Sequence, residues 1–197
     1  AAGGGGIYIY RDASGYDQPD QSWDISSNLI QNNRLSDPSS DTKHGSAIYC
    51  AFVYNNDNLV APFYPGVMDI RDNTIELNGP GASVLYVLSS GNVISPGGPA
   101  GVFRNLLKDN TDGCPIYAEA NMYLMLYCNK IVSNTAGGHC AGIHVNTFVY
   151  CAGGDARAGL YSNLIADNTT SGDNRGALEL SYPVNSSGVS ASSVIEA

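Results

Sequence analysis

The pattern Asn-x-(Ile/Leu)-x-x-Asn occurs five times in this 197-residue chain, and a motif repeated at such spacing leaves few folds open. Its copies begin at Asn28 (Ile30, Asn33), Asn73 (Ile75, Asn78), Asn105 (Leu107, Asn110), Asn129 (Ile131, Asn134) and Asn163 (Ile165, Asn168). A second signature alternates with it, usually opening on a small residue or proline, then an aliphatic, an outward-type and an apolar or small residue. Its copies are Gly6-Ile7-Tyr8-Ile9, Ala47-Ile48-Tyr49-Cys50, Val84-Leu85-Tyr86-Val87, Pro115-Ile116-Tyr117-Ala118, Gly142-Ile143-His144-Val145 and Ala177-Leu178-Glu179-Leu180. Two interleaved signatures running along a chain define a repeat architecture.

Within the second signature, period-two alternation points the flanking aliphatic residues inward and the central residue outward, as in a strand. The asparagine unit gives one inward aliphatic residue between turn-formers. An asparagine entering a corner can bond to backbone and to its equivalent on the next winding. Stacked about 4.8 Å apart, such residues make an amide ladder that satisfies buried polar groups. No segment sustains the 3.6-residue period of a helical repeat. From Ile7 to Leu178 the intervals are 41, 37, 31, 27 and 35 residues. About two dozen residues suffice for a bare winding of short strands, so residues 11–27, 36–45 and 55–69 are expected to loop out as insertions. The expected fold is all-β: a right-handed parallel β-helix, or β-solenoid, of about five to six coils with long loop insertions. Its length would be roughly 25 to 30 Å at the usual strand spacing. Residues 1–180 form one such domain, and residues 181–197 a Ser-rich tail, cap or subunit-contact segment.

Composition narrows the function classes. The 23 glycines suit turns. With 18 acidic against 9 basic residues and no basic run, nucleic acid is not an expected partner. No apolar stretch approaches the roughly 20 residues of a membrane helix. The chain opens on glycines rather than on a signal-like start, which reads as a mature product or an excised portion. Five cysteines and a Tyr- and Asn-rich composition point to an extracellular or cell-surface setting. Cys128 and Cys151 both follow a tyrosine about one repeat apart and form one disulfide candidate. Cys114 and Cys140 form another, although they precede their signatures by two and three residues, an offset that puts them on opposite faces of an ideal strand. Cys50 is left over, and free thiols stacked in the core are the alternative to both bridges.

The strings GGGGIYIY, GSAIYC, NLIQNN, NKIVSNTAGG and NLIADNTT resemble the right-handed parallel β-helix repeats of bacterial secreted and cell-surface proteins. In those proteins GGGIYC-type and NNxIxxN-type units alternate, and polymorphic outer-membrane and adhesin-like passenger domains carry a similar pattern. The resemblance spans roughly residues 3 to 182 and implies the fold. It leaves function open among adhesins, passenger domains, sugar-cleaving enzymes and structural rods.

Several residues are candidates for chemistry. Tyr8, Tyr49, Tyr86 and Tyr117, continued by His144 and Glu179, should form one exterior row able to bind sugar rings or another rod, or simply to brace neighbouring strands. Asn110-Thr111-Asp112-Gly113 resembles the NTDG element of polygalacturonase-type glycosidases. That likeness implies Asp112 as acid, with Asp109 nearby and His139 close to that family's GHG histidine. The adjacent Asp-Asp pair and the Arg-x-Lys of that family are missing, and hydrolysis needs two carboxylates across the scissile bond. Asp12, Asp17, Asp20 and Asp24 crowd the first insertion, and Asp69 with Asp72 flanks another winding. Calcium (Ca2+) is the candidate cation there, against solvated acidic loops and no cofactor. Asn168 and Asn185 fit the glycan-acceptor pattern.

The expected function is a non-catalytic extracellular structural or adhesive solenoid that self-assembles end to end into a filament. The alternatives are a carbohydrate-active enzyme, hydrolase or lyase, and a non-catalytic glycan-binding module. Expected partners are other copies of the chain, or surface glycans.

Overall fold

The computed structural model describes residues 5–12, 22–35, 45–54, 68–91, 100–120, 123–137, 140–147, 157–170, 176–181 and 194–195. Every element in them is a strand. The chain lays down strands in triplets: β1 (Ile7–Asp12), β2 (Trp23–Ser26) and β3 (Leu29–Gln31), then β4 (Gly45–Tyr54), β5 (Met68–Arg71) and β6 (Thr74–Glu76). Next come β7 (Ser83–Gly91), β8 (Ala100–Phe103) and β9 (Leu106–Lys108). The following passage holds β10 (Cys114–Ala120), β11 (Tyr123–Tyr127), β12 (Lys130–Val132) and the short β13 (Thr135–Ala136). After it come β14 (Ile143–Thr147), β15 (Arg157–Tyr161), β16 (Leu164–Ala166), β17 (Thr169–Thr170), β18 (Leu178–Ser181) and β19 (Val194–Ile195).

Equivalent members of successive triplets pair, always in parallel. The first sheet has the order β1-β4-β7-β10-β14-β18, the second β2-β5-β8-β11-β15-β19 and the third β3-β6-β9-β12-β16, with β13 and β17 as a small fourth pair. This is the stacked parallel architecture of a β-solenoid repeat protein. No helix is long and apolar enough to cross a membrane among the described residues.

Register makes the core. Ile7, Ile48, Leu85, Ile116, Ile143 and Leu178 stand in one column of the first sheet. Ile25, Ile70, Val102, Leu126 and Leu160 stand in a column of the second, and Ile30, Ile75, Leu107, Ile131 and Ile165 in one of the third. Away from the ends these side chains are fully buried, so each apolar residue meets its own kind above and below. Part of the segment expected to loop out is core instead. Within residues 11–27, β2 pairs with β5 and places Ile25 in the interior. Ile25, Ile70, Val102, Leu126 and Leu160 each lie three residues before a repeat asparagine, a signal that could have located the second sheet.

The corners explain the asparagines. The residue before each repeat asparagine has a left-handed backbone: Ser27, Asp72, Arg104, Cys128 and Ser162 at one corner, with φ of 51–58°. Asn32, Leu77, Asp109, Ser133 and Asp167 do the same at the other, with φ of 54–59°. One such residue between two extended segments bends the chain sharply, a conformation disfavoured for residues with a Cβ. The asparagine that follows holds the bend. Asn73 Oδ1 accepts from both the backbone N–H and Nδ2 of Asn28, each at 3.0 Å, and the relation recurs from Asn73 to Asn105, Asn129 and Asn163. Nδ2 also reaches back to a carbonyl of the preceding passage, as from Asn105 to Ile70 O at 2.8 Å. Asn33, Asn78, Asn110, Asn134 and Asn168 build a second ladder of the same geometry. The small opening residue of the second signature also has a cause: a Cβ on Gly142 would run into Ala177 O and Ile165 Cγ2.

Candidate functional site

The outward row of the first sheet is the best-defined constellation of functional side chains. Strand pairing brings Tyr8, Tyr49, Tyr86, Tyr117, His144 and Glu179 into one line. The rings of Tyr8 and Tyr49 stack with centroids 4.9 Å apart and planes 9° apart; Tyr49 and Tyr86 do so at 4.9 Å and 12°. Tyr86 and Tyr117 stack at 5.8 Å and 25°, and the His144 ring tilts 38° against Tyr117 at 4.5 Å. A strand spacing of about 4.8 Å is close to the separation of stacked rings, so an in-register parallel sheet favours this arrangement. The rings therefore turn their faces toward each other and offer edges and hydroxyls to the exterior.

Exposure divides the row. Tyr8 is 48% exposed and Tyr10, two residues on, 51%, whereas Tyr86 and His144 are buried. The buried part is knitted by polar bonds. Tyr86 OH donates to Glu119 Oε2 at 2.5 Å, and Asn146 Nδ2 donates to Glu119 Oε1 at 3.2 Å. His144 Nε2 lies 3.1 Å from Ser181 Oγ, and its Nδ1 lies 3.5 Å from Glu179 Oε2. Burial, reinforced by the negative charge of Glu119, pushes the Tyr86 phenol well up and that of Tyr117 to about 12. Burial, followed by the neighbouring tyrosines, raises that of Tyr49. These hydroxyls thus remain proton donors at neutral pH. Sequence reading missed Glu119, Asn146, Ser181 and Tyr10. Each lies two residues beyond a member of the row and shares its face by strand parity, which was the available signal.

The remaining candidates are placed as follows. Asp109 and Asp112 are exposed and both have left-handed backbones, while Asn110 between them is buried in the second ladder. His139 lies outside the described residues. Asp24 accepts from Arg71 at 2.5 Å, and Asp72 accepts from Arg104 at 2.7 Å and from Arg71 at 3.3 Å. These arginines hold both carboxyls below their usual range, whereas burial, then the charge of Asp24, raises Asp69. Two of the acids considered for calcium are therefore engaged by cationic side chains. Among the described residues, no three His, Cys, Asp or Glu side chains converge on a metal position. The side chain of Asp12, and Asp17 and Asp20 altogether, lie outside the description.

Cys50, Cys114, Cys128 and Cys140 are free thiols, and Cys151 lies outside the described residues. Cys50 is an inward residue of β4 whose thiol burial pushes up to about 12. Cys128 is exposed at a corner. Cys114 and Cys140 do not point to opposite faces: both are buried against the Gly142 peptide. Cys140 Sγ accepts from Gly142 N–H at 3.4 Å, and Cys114 Sγ faces Gly142 O at 3.8 Å. Strand parity does not govern Cys140, because it lies outside β14, separated from it by the bend at Ala141 and Gly142. Asn168 is likewise no free turn residue. Its Oδ1 accepts from Asn134 and its Nδ2 donates to Ile131 O at 2.8 Å, so the glycan-acceptor atom is engaged in a ladder. Asn185 lies outside the described residues.

Comparison with known proteins finds no family model, no curated protein and no solved structure that matches this chain.

Proposed function

We propose that this chain is a non-catalytic structural or adhesive solenoid of the extracellular space or cell surface, a right-handed parallel β-helix of five to six coils that assembles end to end. The observation that carries this reading is the change in burial along the inward columns. Ile143 and Val145 are buried, whereas Leu178 and Leu180, which follow them in the same two columns on β18, are 37% and 39% exposed. Apolar residues in core register but open to solvent at an edge strand favour further strand addition. Two ladders and three sheets in continuous register put the repeated residues to work holding passage to passage, as a rod requires. Electron microscopy and sedimentation across a concentration series test the reading. Rods that lengthen with concentration are expected, and strictly monomeric particles at high concentration would overturn it.

A second reading, glycan binding without turnover, is favoured by the exposure of Tyr8 and Tyr10. Because the stacked rings use their faces on one another, a sugar would be met mainly by ring edges and hydroxyls. Incubation with a polysaccharide panel, reading retention and reducing ends, separates binding from hydrolysis by Asp112 and Asp109.

A further inference from the structure

The two outward rows of the first sheet change character together along the chain. One runs Tyr8, Tyr49, Tyr86, Tyr117, His144, Glu179, and the other Tyr10, Ala51, Leu88, Glu119, Asn146, Ser181. On β14 and β18 the aromatic and apolar residues have thus given way to a base, an acid and a hydroxyl. Strand pairing requires none of these, because the parallel ladder between β14 and β18 is made by backbone.

The three groups form a chain. Ser181 Oγ lies 3.1 Å from His144 Nε2, and Glu179 Oε2 lies 3.5 Å from His144 Nδ1. The sheet sets this order. Glu179 stands beside His144 across one strand spacing, and Ser181, two residues on, shares its face on the diagonal. Tyr117 packs its ring against the imidazole from the β10 side at 4.5 Å. His144 is buried, while Ser181 and Glu179 are partly exposed. A carboxylate beside Nδ1 favours the tautomer with its proton there, leaving Nε2 to accept from the serine hydroxyl. A hydroxyl set on a base that an acid orients is the relation of an activated nucleophile.

We infer that Ser181 is an acyl-acceptor site, with His144 as its base and Glu179 as the residue that positions the base. The site supplies a nucleophile and a base, so the acyl donor it suits is an activated one, a thioester or aryl ester. Ser181 Oγ attacks the carbonyl carbon while His144 Nε2 takes the hydroxyl proton. The Oγ–C bond forms and the bond from that carbon to the leaving thiolate or phenolate breaks. The imidazolium then returns the proton to the leaving group, so the products are the Ser181 ester and a free thiol or phenol. Glu179 stabilises the ring while it is charged. The ester stays on the outer face of the first sheet. This adds a covalent attachment site to the solenoid and does not rest on end-to-end assembly.

The test is incubation of the whole chain with para-nitrophenyl acetate, the acetyl group being located by peptide mass mapping. One acetyl on Ser181 is expected, gained about a hundredfold faster than in the urea-unfolded chain. Ser181→Ala should abolish the fast release of nitrophenol with the circular dichroism spectrum unchanged. The ionisable groups around His144 on the outer face are Tyr117 and Glu119 on β10 and Glu179 on β18. The rate should fall in acid as the imidazole takes up a proton. Glu179→Gln removes a negative charge beside the ring, so it should slow acetylation about tenfold and move that acid limb to lower pH. A purely structural role would leave the limb in place. Acetylation of Ser181 no faster than in the unfolded chain, a rate indifferent to pH between about 5 and 8, or an acid limb unmoved in Glu179→Gln would each overturn the inference.

Discussion

The corners and the outer face of the first sheet stack the same passages by different means. Each corner repeats one device: a left-handed residue, then an asparagine bonded to backbone above and to another asparagine below. The outer face changes along its length, from stacked tyrosines through Tyr117 and His144 to Glu179, and adds hydrogen bonds where the rings give way. The corner asparagine bonds backbone N–H and C=O groups at the bend, and its short side chain offers a donor and an acceptor together at that reach. A row held by side chains alone tolerates substitution, provided each new residue finds a neighbour. Uniformity marks where the backbone depends on the side chain; variety marks where it does not.

The sharpest way to break this contrast is at a central rung. Asn105→Ala removes an acceptor for Asn73 and donors to Ile70 O and Asn129 Oδ1 in a fully buried corner. Several orphaned groups predict a loss on the order of 3 kcal/mol or more in urea unfolding. The same change at the solvent-exposed Asn28 should cost less than about 1 kcal/mol. Equal costs would mean that the ladders do not hold the corners.

On the outer face, Tyr86→Phe keeps the ring but leaves the buried carboxylate of Glu119 without its phenol donor. About 2 kcal/mol is expected, still below the central-rung variant. Tyr49→Ala removes two stacked contacts and should cost about 1 kcal/mol beyond its lost burial, measured against Tyr49→Leu.

The smallest effect is expected at the chain of charges linking Asp24, Arg71, Asp72 and Arg104. The folded pKa of Asp72 lies below its ordinary value of 3.8 because of Arg104. Its contribution is therefore complete above that value and is lost as pH falls through the lower folded one. Asp72→Asn should lower stability slightly at neutral pH and flatten the acid limb of a stability-against-pH curve, so that the two curves converge in acid, and added salt should blunt the difference.

Much of this arrangement is legible in the sequence because a stacked repeat writes each environment several times. The asparagine columns, the inward aliphatic columns and the tyrosine row all follow from spacing alone. The left-handed residues were hidden, since Ser27, Leu77, Arg104, Cys128 and Asp167 share no side-chain chemistry; the asparagine after each of them imposes the conformation. The second sheet was hidden by its varied strand sequences, although an aliphatic residue three places before each asparagine marked it. Strand parity puts Glu119 and Asn146 on the face of the row, but their contact is particular to one pair of strands, and no repeat announces it.

The directional bonding of the ladders carries a consequence for how such a chain can change its length. An internal asparagine meets another asparagine on either side, so excising the stretch from one repeat to the next would rejoin like with like. Deleting residues 105–128 would present Asn129 and Asn134 to Asn73 and Asn78 in place of Asn105 and Asn110, with the same donors meeting the same acceptors. Genetic duplication or loss of whole units is thus a change this architecture absorbs with little disturbance, whereas the gain or loss of one residue between a corner and its neighbouring strand would take the side chains of that passage out of their columns.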